Sequence, residues 1–350
     1  MTITFIISII VATIISTLVT PLTITFFKSR GWVEDPKIKN QKSHNATALA
    51  AIPRGGGIPI FISIAIVLLV FLPLDKRLLA ILLASLLTLL VGVWDDIKDI
   101  SPKIRLLTNI VAALIVVASG IGIAYISNPL GGIIDLSFIR FTFNFIGPHT
   151  IWVISDILAI FWIVWCMNSI GWATGVDGQL PGFAAISAFF IGLLAMRFGD
   201  TSQLSVIVIC GAVAGAFLGY LPFNIFPQKA MPGYSGKSLA GFFLALVAIL
   251  SGAKLATVIF VLGIPMLDGF FTLLRRLFHH QPLLKPDGQH LHHRLLALGW
   301  SRPQIALAYW AFSFILGIIA LLLNSQQKFY TFIGLFLVFM AFIIHLSKHT

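Results

Sequence analysis

Residues 77–99 read RLLAILLASLLTLLVGVWDDIKD: Leu78 through Trp94 carry no charge, and then Asp95, Asp96, Lys98 and Asp99 arrive within five positions. An uncharged apolar run closed by charges is the pattern of a membrane-crossing helix that ends at water. The whole chain has only twelve Asp and Glu, so three carboxylates in one span end are conspicuous. On a helical end Asp95 and Asp99 are four apart and Asp96 and Asp99 three apart, a spacing that lets them converge on one cation. A plain solvated helix terminus has the same spelling.

Working outward, the 350 residues are 58% hydrophobic and 10% charged, with mean hydropathy +1.00. Soluble domains carry about 25% charged residues. The fold class read here is a single all-α polytopic membrane domain over residues 1–350. It has about eleven spans, near 3–27, 58–73, 77–93, 105–125, 151–168, 182–198, 203–220, 238–251, 255–276, 304–323 and 329–346. The first begins at the extreme N-terminus without a basic flank or cleavage site, so it reads as retained. Residues 126–150 contain Phe141-Thr142-Phe143-Asn144-Phe145, whose period of two predicts a small β-ribbon on the outside.

The net charge of +11 is scattered over loops, which argues against a nucleic-acid partner. Seventeen of the 23 Lys and Arg fall on one side if the chain starts outside. The positive-inside rule then places the N-terminus outside, the C-terminus in the cytoplasm and five loops on the cytoplasmic face. Cys166 and Cys210 both lie in spans and predict no disulfide.

Those five loops, 28–57, 94–104, 169–181, 221–237 and 277–303, hold nearly every unusual polar cluster. The first has His44 and Pro53-Arg54-Gly55-Gly56-Gly57, in which glycine amides and a guanidinium suit a phosphate, or else simply start a helix. The second follows its carboxylates with Ser101-Pro102-Lys103-Ile104-Arg105, so metal ligands sit beside phosphate-binding cations. The third runs from Asn168 to Asp177-Gly178, where Asp177 is either a further oxygen ligand or part of a turn. The fourth, Gly233-Tyr234-Ser235-Gly236-Lys237-Ser238, has a P-loop ending without its first glycine or its strand; its helix-start amides could still hold a phosphate. The fifth gathers five of nine histidines, with His290, His292, His293 and Arg294 together. Without a thiolate or an i, i+4 pair, phosphosugar contact suits them better than zinc. Asp268, after Pro265, is the charge deepest in a span, either functional or bonded to backbone freed by the proline.

Taken together, Pro53-Arg54-Gly55-Gly56, Asp95-Asp96 with Asp99, Asn168 through Asp177-Gly178, and Asp287 with His290 through Arg294 resemble the polyprenyl-phosphate N-acetylhexosamine-1-phosphate transferases (glycosyltransferase family 4). The resemblance spans the chain, and its histidine segment is similar to the undecaprenyl-phosphate GlcNAc-1-phosphate branch rather than the phospho-MurNAc-pentapeptide branch. It implies transfer of a sugar-1-phosphate from a UDP-N-acetylhexosamine to undecaprenyl phosphate, with release of UMP, as a first membrane step of cell-envelope glycan synthesis. It also implies a Mg²⁺-dependent site (Mn²⁺ as substitute) on the cytoplasmic face, and a homodimer in some members. By this likeness Asp95, Asp96 and Asp177 are catalytic and Asp95, Asp96, Asp99 and Asp177 metal-binding. Substrate contacts are His44, Arg54, Lys103, Asn168, Lys237, His290, His292, His293 and Arg294.

Three positions depart from the pattern. Gly171 stands where the family has a second Asn, Thr174 where it has an Asp, and Tyr234 where a magnesium-binding carboxylate is usual. Lys237 is then a candidate to supply part of the missing positive charge. A nucleotide-sugar-binding homologue without activity is the reading these departures raise. A transporter, the rival of another class, predicts ionisable residues at mid-membrane and paired half-structures, and this chain concentrates its polarity in loops instead.

Overall fold

The computed structural model describes residues 1–37, 50–128, 131–144, 148–197, 203–251, 259–281 and 289–347. Twelve helices are described: α1 (Thr2–Ser29), α2 (Gly57–Phe71), α3 (Lys76–Lys98), α4 (Pro102–Ala118), α5 (Val153–Ala173), α6 (Gln179–Met196), α7 (Leu204–Asn224), α8 (Gly233–Leu250), α9 (Gly263–Phe278), α10 (Leu291–Ala297), α11 (Arg302–Leu322) and α12 (Ser325–Ser347). Eight of these, all but α2, α4, α9 and α10, are long and apolar enough to cross a membrane. Every expected window contains helix, but α2, α4 and α9 are only 15, 17 and 16 residues long. Local chemistry sets their ends: α4 begins at the Ser101 cap with Pro102 behind it and stops before Gly120, whose φ is +90°.

Short antiparallel strands complete the described structure. β1 (Val33–Glu34) pairs with β2 (Ile52–Pro53), β3 (Tyr125–Ser127) with β4 (Ile133–Asp135), and β5 (Arg140–Asn144) with β6 (Pro148–Trp152). The first pair matters for function, because it sets Glu34 beside Arg54.

α1 shows why this is a membrane bundle. Its exposed face is Ile3, Ile6, Ile10, Ile14, Leu18 and Leu22, and its buried face includes Ser8, Ala12, Ser16 and Thr20. Apolar outside and small or polar inside is the inverse of a water-soluble helix. The small face meets Gly211, Gly215 and Gly219 of α7, one per turn. A Cβ at Gly215 would lie 2.2 Å from the Ile9 carbonyl oxygen, and Thr13 and Ser16 hydroxyls donate to Gly215 O and Ala216 O at 3.2 and 2.7 Å. Positions 9 and 13 meet 215 and 219 in rising order, so the two helices run parallel. Gly215→Val is expected to force them apart, costing about 1–3 kcal/mol; a lowered melting midpoint in detergent checks it, and an unchanged midpoint refutes the packing.

α8 is the buried axis, packed against α2, α3, α5, α6 and α7. Trp162 donates to Ala245 O at 3.1 Å, and a Cβ on Gly241 would meet Met167 at 2.4 Å, which fixes α5 antiparallel to α8. The N-terminus of α8 thus lies at the same end as the C-termini of α3 and α5.

Candidate active site

The charged centre forms where α3 ends, α4 and α8 begin, and β1 pairs with β2. Asp99 closes α3 in the left-handed conformation (φ 49°, ψ 68°), with its N–H returned to Asp95 O at 2.8 Å. Arg54, arriving from β2, lies 2.9 Å from Asp99 Oδ1, 3.6 Å from Glu34 Oε2, 3.7 Å from Asp96 Oδ1 and 3.9 Å from Asp95 Oδ2. Burial alone pulls the Arg54 pKa down; the charges of Asp96, Glu34 and Asp99 outweigh it and raise the pKa. Arg105 Nε bonds Asp95 Oδ1 at 2.6 Å, and its guanidinium sits 5.1 Å from the centre of the Tyr234 ring. The Tyr234 hydroxyl lies 3.2 Å from Asn109 Oδ1, so the platform under Arg105 is itself pinned.

Asp96 occupies the seat that the sequence offers to a phosphate. Its Oδ1 accepts from Tyr234 N at 2.6 Å, and its Oδ2 accepts from Ser235 N at 3.3 Å and Ser235 Oγ at 2.5 Å. These are first-turn donors of α8, and the partial positive charge of a helix N-terminus favours the carboxylate there. The phosphate reading of this segment therefore gives way to an internal carboxyl group, whose pKa burial pushes up to about 7 against the lowering pull of Arg54 and the Ser235 hydrogen bond.

The glycine run before α2 serves close packing rather than a phosphate cradle. A Cβ would lie 2.6 Å from the Phe27 ring at Gly55, 2.5 Å from Tyr220 Oη at Gly56 and 2.4 Å from Ser235 Oγ at Gly57. The amides are engaged as well: Gly56 N donates to Met231 O at 3.2 Å and Gly57 N to Ser235 Oγ at 3.2 Å.

A second polar group adjoins α8 through Lys237, whose charge acts on the buried His292. The His292 ring fills the space over Gly175, where a Cβ would lie 2.2 Å from Nε2; it is parallel to the His290 ring at 6.2 Å and tilted against that of His293 at 4.2 Å. His290 Nδ1 lies 2.8 Å from Asp268 Oδ2, Leu291 N donates to Asp268 Oδ1 at 2.9 Å, and Trp172 stacks on His290 at 6.4 Å. Asp268 is thus the anchor of the histidine segment rather than a partner of backbone freed by Pro265, although the helix is interrupted by a turn at Leu262, three residues before that proline. Arg294 Nε donates to Gln289 O at 2.9 Å and its guanidinium lies 5.9 Å from the Phe271 ring.

Burial, followed by His293, His290 and Lys237, pushes His292 well below the ordinary 6.5. A group that folds neutral and unfolds chargeable contributes its stability in full above that ordinary value and loses it as pH falls below. Melting in detergent is expected to drop between pH 7.5 and 5.5, and His292→Gln is expected to flatten that slope; equal slopes refute the assignment.

Asp177 stands apart from the Asp95 group in its described contacts. Its Oδ1 pairs with Arg302 at 2.9 Å and its Oδ2 accepts from Gln228 N at 3.3 Å. Asn168 bonds back to Val164 O at 2.7 Å within α5, and Lys103 is exposed on the first turn of α4. His44 and Asp287 lie outside the described residues. Glu34, Asn109 and Ser235 are not singled out as site residues by the sequence, and of the two cations after the carboxylates it carries Lys103 rather than Arg105 into the substrate contacts. Arg105 had a signal, since it and Lys103 are two apart on a helix and so face different sides, but only the tertiary fold selects which one meets Asp95.

A hard divalent cation seeks about six oxygen ligands. Asp95 Oδ1 is taken by Arg105 and by Ile100 N at 3.1 Å, both Asp96 oxygens by Tyr234 and Ser235, and Asp99 Oδ1 by Arg54. Asp95 Oδ2 is buried without a hydrogen-bond donor, yet the Arg54 guanidinium lies 3.9 Å away. Among the described residues no three His, Cys, Asp or Glu converge as a ligand set. The side chains as engaged here therefore do not fit the Mg²⁺ or Mn²⁺ that the resemblance implies; the Arg54 and Arg105 guanidinium groups lie against these carboxylates instead.

Comparison with known proteins agrees with this architecture. The chain is 29% identical over 349 residues (96% of this chain, 90% of the relative) to the probable undecaprenyl-phosphate N-acetylglucosaminyl 1-phosphate transferase of Bacillus subtilis (strain 168). It is 28% identical over 286 residues (73% and 68%) to the decaprenyl-phosphate N-acetylglucosaminephosphotransferase of Mycobacterium tuberculosis (strain CDC 1551 / Oshkosh). It is also 28% identical over 331 residues (89% and 95%) to the phospho-N-acetylmuramoyl-pentapeptide-transferase of Bacillus cytotoxicus. The family model described as glycosyl transferase family 4 matches residues 78–252, half of the chain, from the start of α3 through α8. With its carboxylate-ended α3 and the loops gathered around α8, this multi-pass membrane protein belongs to glycosyl transferase family 4.

Proposed function

We propose that this protein transfers N-acetylglucosamine-1-phosphate from UDP-N-acetylglucosamine to undecaprenyl phosphate, releasing UMP, at the cytoplasmic face of the membrane. The observation that carries the proposal is the meeting of five loops at one end of the helices. Arg54 and Glu34 join Asp95, Asp96 and Asp99; these join the start of α8; Lys237 of α8 joins the histidine segment and Trp172 to Ala173; and Asp177 joins Gln228 and Arg302. A site at span ends meets a lipid whose tail stays among helices and a nucleotide that stays in water. Its cytoplasmic side rests on the distribution of Lys and Arg.

In the reaction a lipid-phosphate oxygen bonds the β-phosphorus, the bond from that phosphorus to the bridging oxygen breaks, and UMP departs with the electron pair. The second pKa of a phosphate monoester is about 6, so at pH 7 the attacking group is already mostly a dianion and needs little help from a base. Repulsion between the two anions is the obstacle, and fixed cations offset it. The expected cytoplasmic loops and span ends hold seventeen Lys and Arg against seven Asp and Glu. In this reading Asp95, Asp96 and Asp99 hold Arg54 and Arg105 at the reacting groups, and Lys237, His290, His292, His293 and Arg294 serve the sugar and nucleotide side.

Purified protein given UDP-N-acetylglucosamine and undecaprenyl phosphate is expected to release UMP. No release with any UDP-N-acetylhexosamine sinks the proposal, and release only from UDP-MurNAc-pentapeptide moves it to the muramoyl-pentapeptide reaction.

A further inference from the structure

We propose that the phosphate groups of both substrates are met by a fixed guanidinium pair, Arg54 and Arg105, seated in the carboxylate cluster, and that the transfer runs without a divalent metal. This rests on the transferase reading and specifies how its site handles charge.

Three observations lead to it. First, the carboxylates already hold partners: Asp95 Oδ1 has Arg105, Asp96 the first turn of α8 and Asp99 Oδ1 Arg54, while Asp95 Oδ2, which has no hydrogen-bond donor, lies 3.9 Å from the Arg54 guanidinium. A dication entering among them would face two guanidinium groups at the same oxygens. Second, the pair is built to present charge outward. Arg105 is held over the Tyr234 ring, whose hydroxyl is fixed by Asn109, and its side chain is 30% exposed. Arg54 is largely buried, and its closest ion-pair partner, Asp99, is 54% exposed. Asp99 is thus the contact that an incoming phosphate oxygen displaces, giving Arg54 to the substrate while Asp96 and Glu34 keep it in place. Third, two positions that could enlarge the ligand set do not. Tyr234 supplies a phenol engaged elsewhere, and at Gly171 a Cβ would meet nothing within 4 Å, so that place is left without a side chain.

The step balances without a metal. The lipid phosphate and the UDP-sugar enter as dianions, the lipid-diphosphate-sugar and UMP leave as dianions, and no proton or electron pair is left over.

The test uses the whole protein in detergent, stripped with EDTA and titrated with Mn²⁺ under electron paramagnetic resonance. Wild type is expected to show no site tighter than about 1 mM, whereas sensor-type protein sites for divalent ions reach micromolar affinity. Arg54→Gln, which leaves the carboxylates uncompensated, is expected to gain one Mn²⁺ per chain. In parallel, UMP release by wild type is expected to be unchanged in excess EDTA. A wild-type Mn²⁺ site that Mg²⁺ displaces, a folded Arg54→Gln that binds no Mn²⁺, or activity abolished by EDTA and restored by Mg²⁺ each overturns the inference. Should Arg54→Gln not fold, the two wild-type measurements decide. Absence of UMP release under every metal condition defeats the transferase reading instead, and the Mn²⁺ titration still decides this one.

Discussion

Asp96→Ala is expected to cost about 3–5 kcal/mol of stability, the range for removing one partner from a buried charge network. Asp96 accepts from Tyr234 N, Ser235 N and Ser235 Oγ and lies 3.7 Å from Arg54 Nε. Truncation leaves those donors buried beside a guanidinium whose own Nε already has no hydrogen-bond acceptor. UMP release is expected to fall by about 10³-fold, the scale for losing one preorganised electrostatic element. Asp96→Asn separates the two losses. Its amide oxygen can still take the Tyr234 N–H and the Ser235 hydroxyl can turn to accept from the amide, so stability should return to within about 1–2 kcal/mol of wild type. The charge that holds Arg54 does not return, and activity should stay low. Melting midpoints and UMP release measured side by side check this. An active Asp96→Ala, or an Asn variant that recovers both properties, means that Asp96 does not position Arg54.

How far the sequence reaches is visible at this same residue. Charge is expensive at a span end, so Asp95, Asp96 and Asp99 announce themselves in one dimension, and so do the apolar runs that become α1, α3 and the other long helices. The partners do not. Tyr234 and Asp96 are 138 positions apart, and amides that start a helix look identical whether they face a phosphate or a protein carboxylate. The same ambiguity governs the glycines before α2. Phosphate approach and close packing both demand a missing side chain, and only the neighbours Phe27, Tyr220 and Ser235 decide between them. Asp268 carries a further lesson: a carboxylate in a span suggests either chemistry or a broken helix, while its actual partner, His290, comes from a segment 22 positions on. Hydropathy windows also blur helix length, which is why α2, α4 and α9 read as full spans: the Ser101 cap starts α4 at Pro102, and a turn at Leu262 precedes α9.

Gly233→Ala is the other change expected to be severe, and three glycines allow its cause to be isolated. At Gly233 the backbone has φ +66°, and a Cβ would lie 2.3 Å from Arg54 O and 2.3 Å from both Asp96 carboxylate oxygens. The left-handed conformation alone costs a non-glycine residue about 1–2 kcal/mol. The clash adds about 1–3 kcal/mol if the surroundings yield, and what must yield is the Arg54 backbone, which carries the guanidinium away from its carboxylates. Gly31 has nearly the same φ, +67°, with nothing within 4 Å of its Cβ, so Gly31→Ala bears the strain without the clash. Gly171 has neither, lies inside α5, and on replacement by Ala should gain about 0.5–1 kcal/mol from the lower backbone entropy of the unfolded chain. The expected order of melting midpoints is Gly171→Ala, wild type, Gly31→Ala, Gly233→Ala, with UMP release lost only in the last. If Gly31→Ala and Gly233→Ala fall together with activity intact in both, backbone strain alone explains Gly233. A loss confined to Gly233→Ala identifies the first turn of α8 as the wall against which Asp96 and Arg54 are set.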